Sequence, residues 1–517
     1  MSSLLKKFYH DKVMQVVLFS STAIALYGYD QGMMSLINTN TDYLSTMGIP
    51  ESSPLVGLIV SVYYLGCAVG AVIFQWAGDK YGRKPAIFVC LATASLGNLI
   101  MFIAGLGYSS GALGVMFVGR IVMGIGVGGV DAVIPVYSSE LSEDEARGKA
   151  LAQEFQSNIF GLNMAFAINL GITVALGKAN QWAWRVPILC MQVYPVLLLL
   201  FIQRLPESPR WFVFNEDREA AQKSLEAIYG EDEGKKKCEE LVQSHDKEAD
   251  QKVSYRDMFT PSHQQFHPTM ITIMGQVNQA LTGYGAVSVY GPQIFELLGF
   301  PVRTSEYLTQ GNYVSYLLLM TFAWILIDAV GRRALLVWNS LILTVCFALL
   351  ALLGGLAFNA DNLGISNLAP AIPGIIALYL ATGAFGIGWL ATVWLIPTEI
   401  FPTTARAQGT AVSVIIWGLA NFAVTLLTPI LFNNLEYFLF AAFAVTNLFA
   451  GAWTWLYQPE TGGRSFEENQ EFFEKAKEVG SWRVSRVAGG KFLKMPYGDE
   501  DAERTPLLRR VRDQASV

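Results

Sequence analysis

Apolar runs of about 20 residues recur twelve times along this chain, around 14–37, 55–77, 86–106, 112–135, 150–176 and 184–203, then around 268–297, 309–330, 334–358, 370–397, 407–432 and 436–457. In hydrocarbon every main-chain polar group must find its partner within the protein, so runs of this length are confined to spanning helices. The predicted fold is an all-α membrane protein with twelve transmembrane helices in two six-helix halves, joined by a cytoplasmic helical linker. Composition agrees, since 52% of the 517 residues are hydrophobic and only 15% charged, unlike a string of soluble domains. The expected segments are 1–203 for the first bundle, 204–267 for the linker, 268–460 for the second bundle and 461–517 for a cytoplasmic tail. The opening "MSSLLKKFYHDK" runs into a full-length span with no small-residue cleavage site, so the first span is expected to be retained.

Lys and Arg in short loops mark the cytoplasmic side. Lys6, Lys7, Lys80, Arg83, Lys84, Arg147, Lys149, Arg332, Arg333 and Arg406 fall on one side, whereas the loops at 38–54, 107–111, 359–369 and 433–436 have neither residue type. Both termini are therefore expected in the cytoplasm; Lys178, Arg185 and Arg303 are the exceptions. A net charge of −6 argues against a nucleic-acid partner. No outward loop holds a cysteine pair, and the four histidines all lie outside the spans or at an edge, so neither a disulfide framework nor an intramembrane metal site is expected. No nucleophile–base set stands out, no cofactor is expected, and an enzyme is the least favoured class.

Two features repeat between the halves. "GDKYGRKP" after the second span answers "IDAVGRRA" after the eighth, and Glu140 precedes Arg147 by the same seven residues that separate Glu399 from Arg406. Such repeats are the trace of two halves that rock about a midplane site. The linker, "EDREAAQKSLEAIYGEDEGKKKCEELVQSHDKEAD", has only a partial apolar stripe at Ala220, Leu225, Ile228 and Leu241, as expected of short helices bracing two bundles.

Asp30 lies in the apolar stretch "TAIALYGYDQGMMSLI". A carboxylate there costs at least ~2.5–3.5 kcal/mol on insertion scales, so it faces a protein interior and finds a partner, or stands close enough to the helix end to reach water. Arg120 in the fourth span is the natural partner. Asp131, eleven residues after Arg120, lies on nearly the same face about 16 Å further along. It is open to three readings: a second coupling acid, a solute contact, or a residue reaching interfacial water. The glycines at 119, 124, 126, 128 and 129 are expected to let helix backbones approach closely, not to bind a nucleotide.

The set "GYDQG", "GDKYGRKP", "GRIVMGIGVGG…PVYSSE…RG", "PESPRW", "QALTGYGAVSVY", "IDAVGRR", "EIFPTTAR" and "PETGGRS", in this order from about 20 to 470, closely resembles the sugar porter family of the major facilitator superfamily, and in loop and tail style its fungal members. The resemblance implies the major facilitator fold and transport of a small-molecule solute. In proton-coupled members the Asp of "GYD" and the Arg of "GR" form the coupling pair, and both are matched here by Asp30 and Arg120. It also implies a cytoplasmic latch, carried by Arg83, Glu140, Arg147, Asp328, Arg332, Glu399 and Arg406; positive-inside topology would by itself account for any single arginine.

The family's sugar-binding positions are only partly kept. Gln279 matches the first of two consecutive glutamines, but Ala280 replaces the second and Gly285 stands where an Asn is expected. Trp394 and Tyr290 match, Trp417 and Gly418 fall at an Asn–Trp pair followed by Asn421, and Phe155 falls at a Gln with Gln156 adjacent. The expected solute-binding set is Gln156, Gln279, Tyr284, Tyr290, Trp394, Trp417 and Asn421; Trp417 and Tyr284 could equally face lipid or pack between helices. Each lost amide removes a hydrogen bond worth about 0.5–1.5 kcal/mol net, so hexose is not assured.

The leading expectation is a proton-coupled importer of a sugar or polyol, with protons, the solute and the bilayer as partners and the oligomeric state open. The alternatives are a transporter of another small hydroxylated solute, such as a quinate-like acid or a secondary metabolite, and a non-transporting sensor, which in this family carries a longer tail. The plasma membrane is the expected site. "ERTPLL", Glu503 to Leu508, has the form of a dileucine signal that would direct the chain to endosomes or the vacuole, and equally that of ordinary tail.

Overall fold

Each long apolar run is a helix. The computed structural model of the chain describes residues 12–50, 53–107, 110–141, 147–248, 253–366, 368–464 and 466–487. The first six spans are Lys12–Ile37, Pro54–Tyr81, Arg83–Ile103, Ala112–Leu141, Arg147–Leu176 and Gln181–Arg204. The seventh is built in three pieces, Phe266–Leu281, Tyr284–Val289 and Gly291–Leu297. The remaining five are Val302–Val330, Arg332–Phe358, Leu368–Ile400, Thr403–Leu435 and Phe438–Tyr457. The protein is thus an all-α membrane protein of twelve spans in two halves. Among the described residues, ten helices pass as membrane-crossing on length and apolarity alone. The first is diluted by Gln15, Asp30 and Gln31, and the seventh is cut at Gly283, whose φ of +84° only glycine adopts freely, and again at Tyr290.

Within the first half the helices approach more closely than side chains allow. A Cβ on Gly124 of the fourth span would overlap the Tyr63 carbonyl of the second, and one on Gly28 of the first span would overlap the Asn158 carbonyl of the fifth. Small residues at crossing points stand in for the hydrophobic drive that lipid does not supply. The outer surface carries large exposed apolar side chains, among them Val72, Trp76, Leu200, Ile325, Val345 and Val445, as a lipid-facing surface requires.

Three linker helices, Pro209–Phe214, Arg218–Tyr229 and Glu231–Glu248, follow the sixth span. Ser208 and Asp217 cap the first two by accepting from Trp211 N and Ala220 N. Their shared core is Val213, Ala221, Leu225 and Cys238, so the expected apolar stripe is set by Ala221 and not Ala220, with Leu241 at its margin and Ile228 packed against the main bundle core. A helix at Phe466–Val479 packs back on the tenth span, where Gln470 donates to the Ile400 carbonyl at 2.6 Å. The "ERTPLL" segment lies outside the described residues.

Candidate functional site

The first span passes the fourth with Asp30 and Arg120 facing each other. Asp30 is 2% exposed and Arg120 fully buried, and the two are ion-paired through Arg120 Nη1 and Asp30 Oδ1. Arg120 is held from other directions as well: Nε and Nη2 donate to the Ile59 and Val60 carbonyls at 3.3 and 3.1 Å, and its guanidinium lies 4.7 Å from the Tyr63 ring centre. A kept arginine and a carboxylate with one charged partner make a site where only the acid can change charge. Asp30 is therefore buried and partnered, and it does not reach water at a helix end. Asp131 is 5% exposed, and among the described residues no hydrogen bond or ion pair reaches its carboxylate. A buried acid absent from the expected set, Glu154 in the fifth span, accepts from Ser138 Oγ at 2.8 Å.

Aromatic rings from both halves meet in the interior. Trp417 packs edge-on to Tyr27 and Tyr64, with ring centres 5.2 and 5.3 Å away, and 5.8 Å from Trp394, which in turn lies 5.6 Å from Phe155. Gln31 donates to the Tyr27 hydroxyl at 2.6 Å, and its Oε1 is buried without a partner. The sequence pattern passed over Tyr27, Gln31 and Tyr64, since a phenol or amide in an apolar run gives no sign of which face it takes. Trp417 is 3% exposed, and Tyr284 stacks on Phe385 at 4.0 Å, so both pack between helices and not against lipid.

Gln279 is fixed by a local irregularity. Residues Phe385–Leu390 of the tenth span form a π-helical turn, which leaves carbonyls unused, and Gln279 Nε2 donates to Trp389 O at 3.0 Å and Leu390 O at 3.3 Å. Asn421 Nδ2 donates to the Trp417 carbonyl, while its Oδ1 would stand 3.3 Å from a Cβ on Gly285. Tyr290 donates to the Thr425 carbonyl at 3.2 Å. Six of the seven expected solute contacts therefore gather on spans seven, ten and eleven. Gln156 goes elsewhere, donating to Leu317 O and Thr321 Oγ1 of the eighth span at 3.1 and 3.0 Å.

At one end of the bundle the repeated motifs form two matching clusters. Arg83 bridges Asp79 at 2.6 Å and Glu140 at 3.4 Å, and Arg332 bridges Asp328 at 3.0 Å and Glu399 at 2.7 Å. Each cluster ties three helix ends of one half together. Two further carboxylates complete them: Glu207 accepts from the Arg83 and Lys84 main-chain N–H groups, both at 3.0 Å, and Glu460 accepts from those of Arg332 and Arg333 at 2.8 and 3.0 Å. They cap the helices that begin there. Burial pushes both carboxyls up from the ordinary glutamate range, against the pull of these donors and the arginines. Neither was in the expected set, although the signal was present in the paired "PES" and "PET" that follow the sixth and twelfth spans. Arg406 comes from the other half to line, with Asp79, Arg83 and Glu140, a cavity of about 340 Å³. The Arg147 side chain lies outside the described residues.

A two-half bundle of twelve spans, with a buried ion pair in one half and an aromatic and amide-lined interior between the two, defines a membrane transporter of the major facilitator type. The chain belongs to the sugar (and other) transporter family, whose description matches residues 15–473. It is 30% identical over 473 residues to the MFS-type transporter oryC of Aspergillus oryzae, covering 89% of this chain and 85% of that one. It is 29% identical to the sugar transporter STL1 of Saccharomyces cerevisiae, covering 91% and 83%. Its fold is similar to that of the proton:xylose symporter XylE bound to 6-bromo-6-deoxy-D-glucose, with a TM-score of 0.76 at 23% identity over 89% of this chain and 98% of that one. These relatives are transporters, and this chain is a multi-pass membrane transporter of a small-molecule solute and not an enzyme.

Proposed function

We propose that the protein carries a sugar or polyol inward with protons, by rocking its halves, 1–203 and 268–460, about the aromatic and amide-lined interior while the linker at 204–267 braces them. The observation that carries this reading is the buried pair of Asp30 and Arg120. With Arg120 always charged, a proton on Asp30 weakens the pair, and solvent access that changes with the rocking changes how readily Asp30 holds that proton, so conformation and protonation are linked. Asp131, without a cation beside it, serves as a second coupling acid or a hydroxyl acceptor for the solute. The latch set of Arg83, Glu140, Arg147, Asp328, Arg332, Glu399 and Arg406 holds the cytoplasmic side shut, with Arg83 and Arg332 tying helix ends within each half and Arg406 reaching across; both termini lie on that side, and the plasma membrane is the site of action.

A second reading, carriage of another small hydroxylated and partly aromatic solute, is favoured by the ring cluster of Tyr27, Tyr64, Trp394 and Trp417 and by Ala280 and Gly285 at two amide positions. An ionised Asp131 would repel an acid solute, which favours a neutral one. Uptake of labelled hexoses, pentoses, polyols and quinate-like acids in transporter-null cells tests both. Accumulation of a sugar or polyol that a protonophore abolishes supports the first reading; accumulation unaffected by the protonophore overturns proton coupling, and transport of none but acids overturns the substrate class.

A further inference from the structure

Two of the three charges that break the loop asymmetry meet at one point, while Arg185 donates within its own half to the Phe102 and Ala104 carbonyls. Lys178, in the turn between the fifth and sixth spans, and Arg303, on the first turn of the eighth, both reach Glu306. Lys178 Nζ lies 2.7 Å from Glu306 Oε1 and Arg303 Nη1 lies 2.7 Å from Oε2. The Glu306 side chain is 0% exposed, that of Lys178 22% and that of Arg303 44%. Lys178 belongs to one half and Glu306 to the other, and the pair stands at the opposite end of the spans from the Arg83 and Arg332 clusters.

The lysine is placed there by its own half. Its carbonyl accepts from Asp42 N at 3.2 Å and Thr41 Oγ1 at 3.0 Å, its Nζ donates to Thr39 Oγ1 at 3.2 Å, and Asp42 is in turn held by Trp184 Nε1 at 2.9 Å. Below the ion pair a polar seam continues between the halves. Gln310 Nε2 donates to Asn163 Oδ1 at 3.1 Å, Asn163 Nδ2 to the Tyr313 carbonyl at 2.8 Å, and the Tyr313 hydroxyl lies 3.2 Å from Ser35 Oγ. Glu306, Gln310, Tyr313, Leu317 and Thr321 follow one another at steps of four, three, four and four residues, so one face of the eighth span carries the whole seam against the first and fifth. Leu36, Leu162, Phe166 and Leu170 pack around Tyr313 beside these bonds, and only the Lys178 end of the seam is charged.

We infer that Lys178 and Glu306 form a gate between the halves, closed in this structure, which must part whenever the interior opens at that end. This rests on the rocking of the halves proposed above, but not on the solute or on proton coupling. The chemistry suits repeated opening. A buried ion pair trades Coulombic attraction against desolvation and comes out near balance, so parting it with water entering costs little. On parting, Arg303 travels with Glu306 on the same helix, so the carboxylate is never left alone, while Lys178 passes into water. Arg303 thus supports the open state and Lys178 the closed one.

The two cations therefore make opposite predictions. Full-length protein in lipid nanodiscs, where both faces meet the reagent, carries Ser35→Cys beneath the gate, with Cys67, Cys90, Cys190, Cys238 and Cys346 replaced by serine or alanine. Labelling by a charged maleimide reports opening without solute or pH gradient. Lys178→Met is expected to raise the labelling rate about tenfold, as loss of a charge-assisted contact from the closed state would, and Arg303→Met to lower it. Equal rates in Lys178→Met and the parent overturn the gate, as does an Arg303→Met variant that labels as fast as Lys178→Met, since that would mark plain loosening. As a second measurement, Lys178→Cys with Glu306→Cys joined by a reducible bifunctional thiol reagent should stop solute exchange, and dithiothreitol should restore it; full exchange in the joined protein also overturns the gate. A parent that exchanges no sugar but labels as expected would leave the gate standing and remove only the substrate assignment.

Discussion

At the scale of single residues, the ion pair of Asp30 and Arg120 carries the functional argument, because a buried carboxylate with one cationic partner is the group whose charge a change in hydration can alter. Asp30→Asn is expected to abolish accumulation against a gradient while sparing counterflow, since the neutral amide mimics the protonated acid. Accumulation ratios in proteoliposomes with an imposed pH gradient check it, and an unchanged ratio would end the coupling assignment. The proposed solute site yields a second test. A side chain at Gly285 would enter beside Asn421, so Gly285→Asn with Ala280→Gln should lower the apparent KM for glucose about tenfold or more by restoring two hydrogen-bonding amides. No gain in a well-folded double variant would count against a sugar substrate.

At the scale of elements, helix packing in the first half depends on bare backbones at the crossings. Gly124→Leu places a side chain where the Tyr63 carbonyl already lies, and the fourth span cannot move away without losing Arg120 from its carbonyls on the second. The expected cost is about 3 kcal/mol or more, visible as loss of the monodisperse peak or a markedly lower unfolding temperature; unchanged stability would show that the spans are less tightly crossed than this. The tenth span uses the opposite device. Its π-helical turn exposes carbonyls, and the Gln279 amide from the seventh span fills them, joining two irregular helices where a solute would lie.

At the scale of the whole molecule, the two arginine clusters act within halves and the contacts between halves lie elsewhere. Arg332 answers two carboxylates and the Ile327 carbonyl, so Arg332→Ala should cost about 1–3 kcal/mol in stability, chiefly by leaving the half-buried Glu399 carboxylate without its charged partner. Arg406→Ala, altering the cavity between the halves, should instead change thiol accessibility at that end with a smaller loss of unfolding temperature. Thermal unfolding and labelling of the two variants side by side would separate a rigid-body brace from a contact between halves, and equal losses of stability would deny the distinction.

The sequence by itself determined the twelve spans, the two-half repeat and the pairing of Asp30 with Arg120, because a twenty-residue apolar run has one stable form in lipid and a charge inside it is costly enough to demand a partner there. It also held the signal for Glu207 and Glu460, in a repeated dipeptide whose meaning depends on which helix start lies nearby. Only the tertiary structure decided what the polar side chains in the spans face. Gln156 and Gln279 look alike in sequence, yet one joins the seam between halves and the other fills a gap in a helix, and Lys178 and Arg303 are stray charges until Glu306 is seen between them. The reason is range: apolarity acts through each segment's own contact with lipid, whereas the partner of an amide or a charge is set by helices far away in the chain.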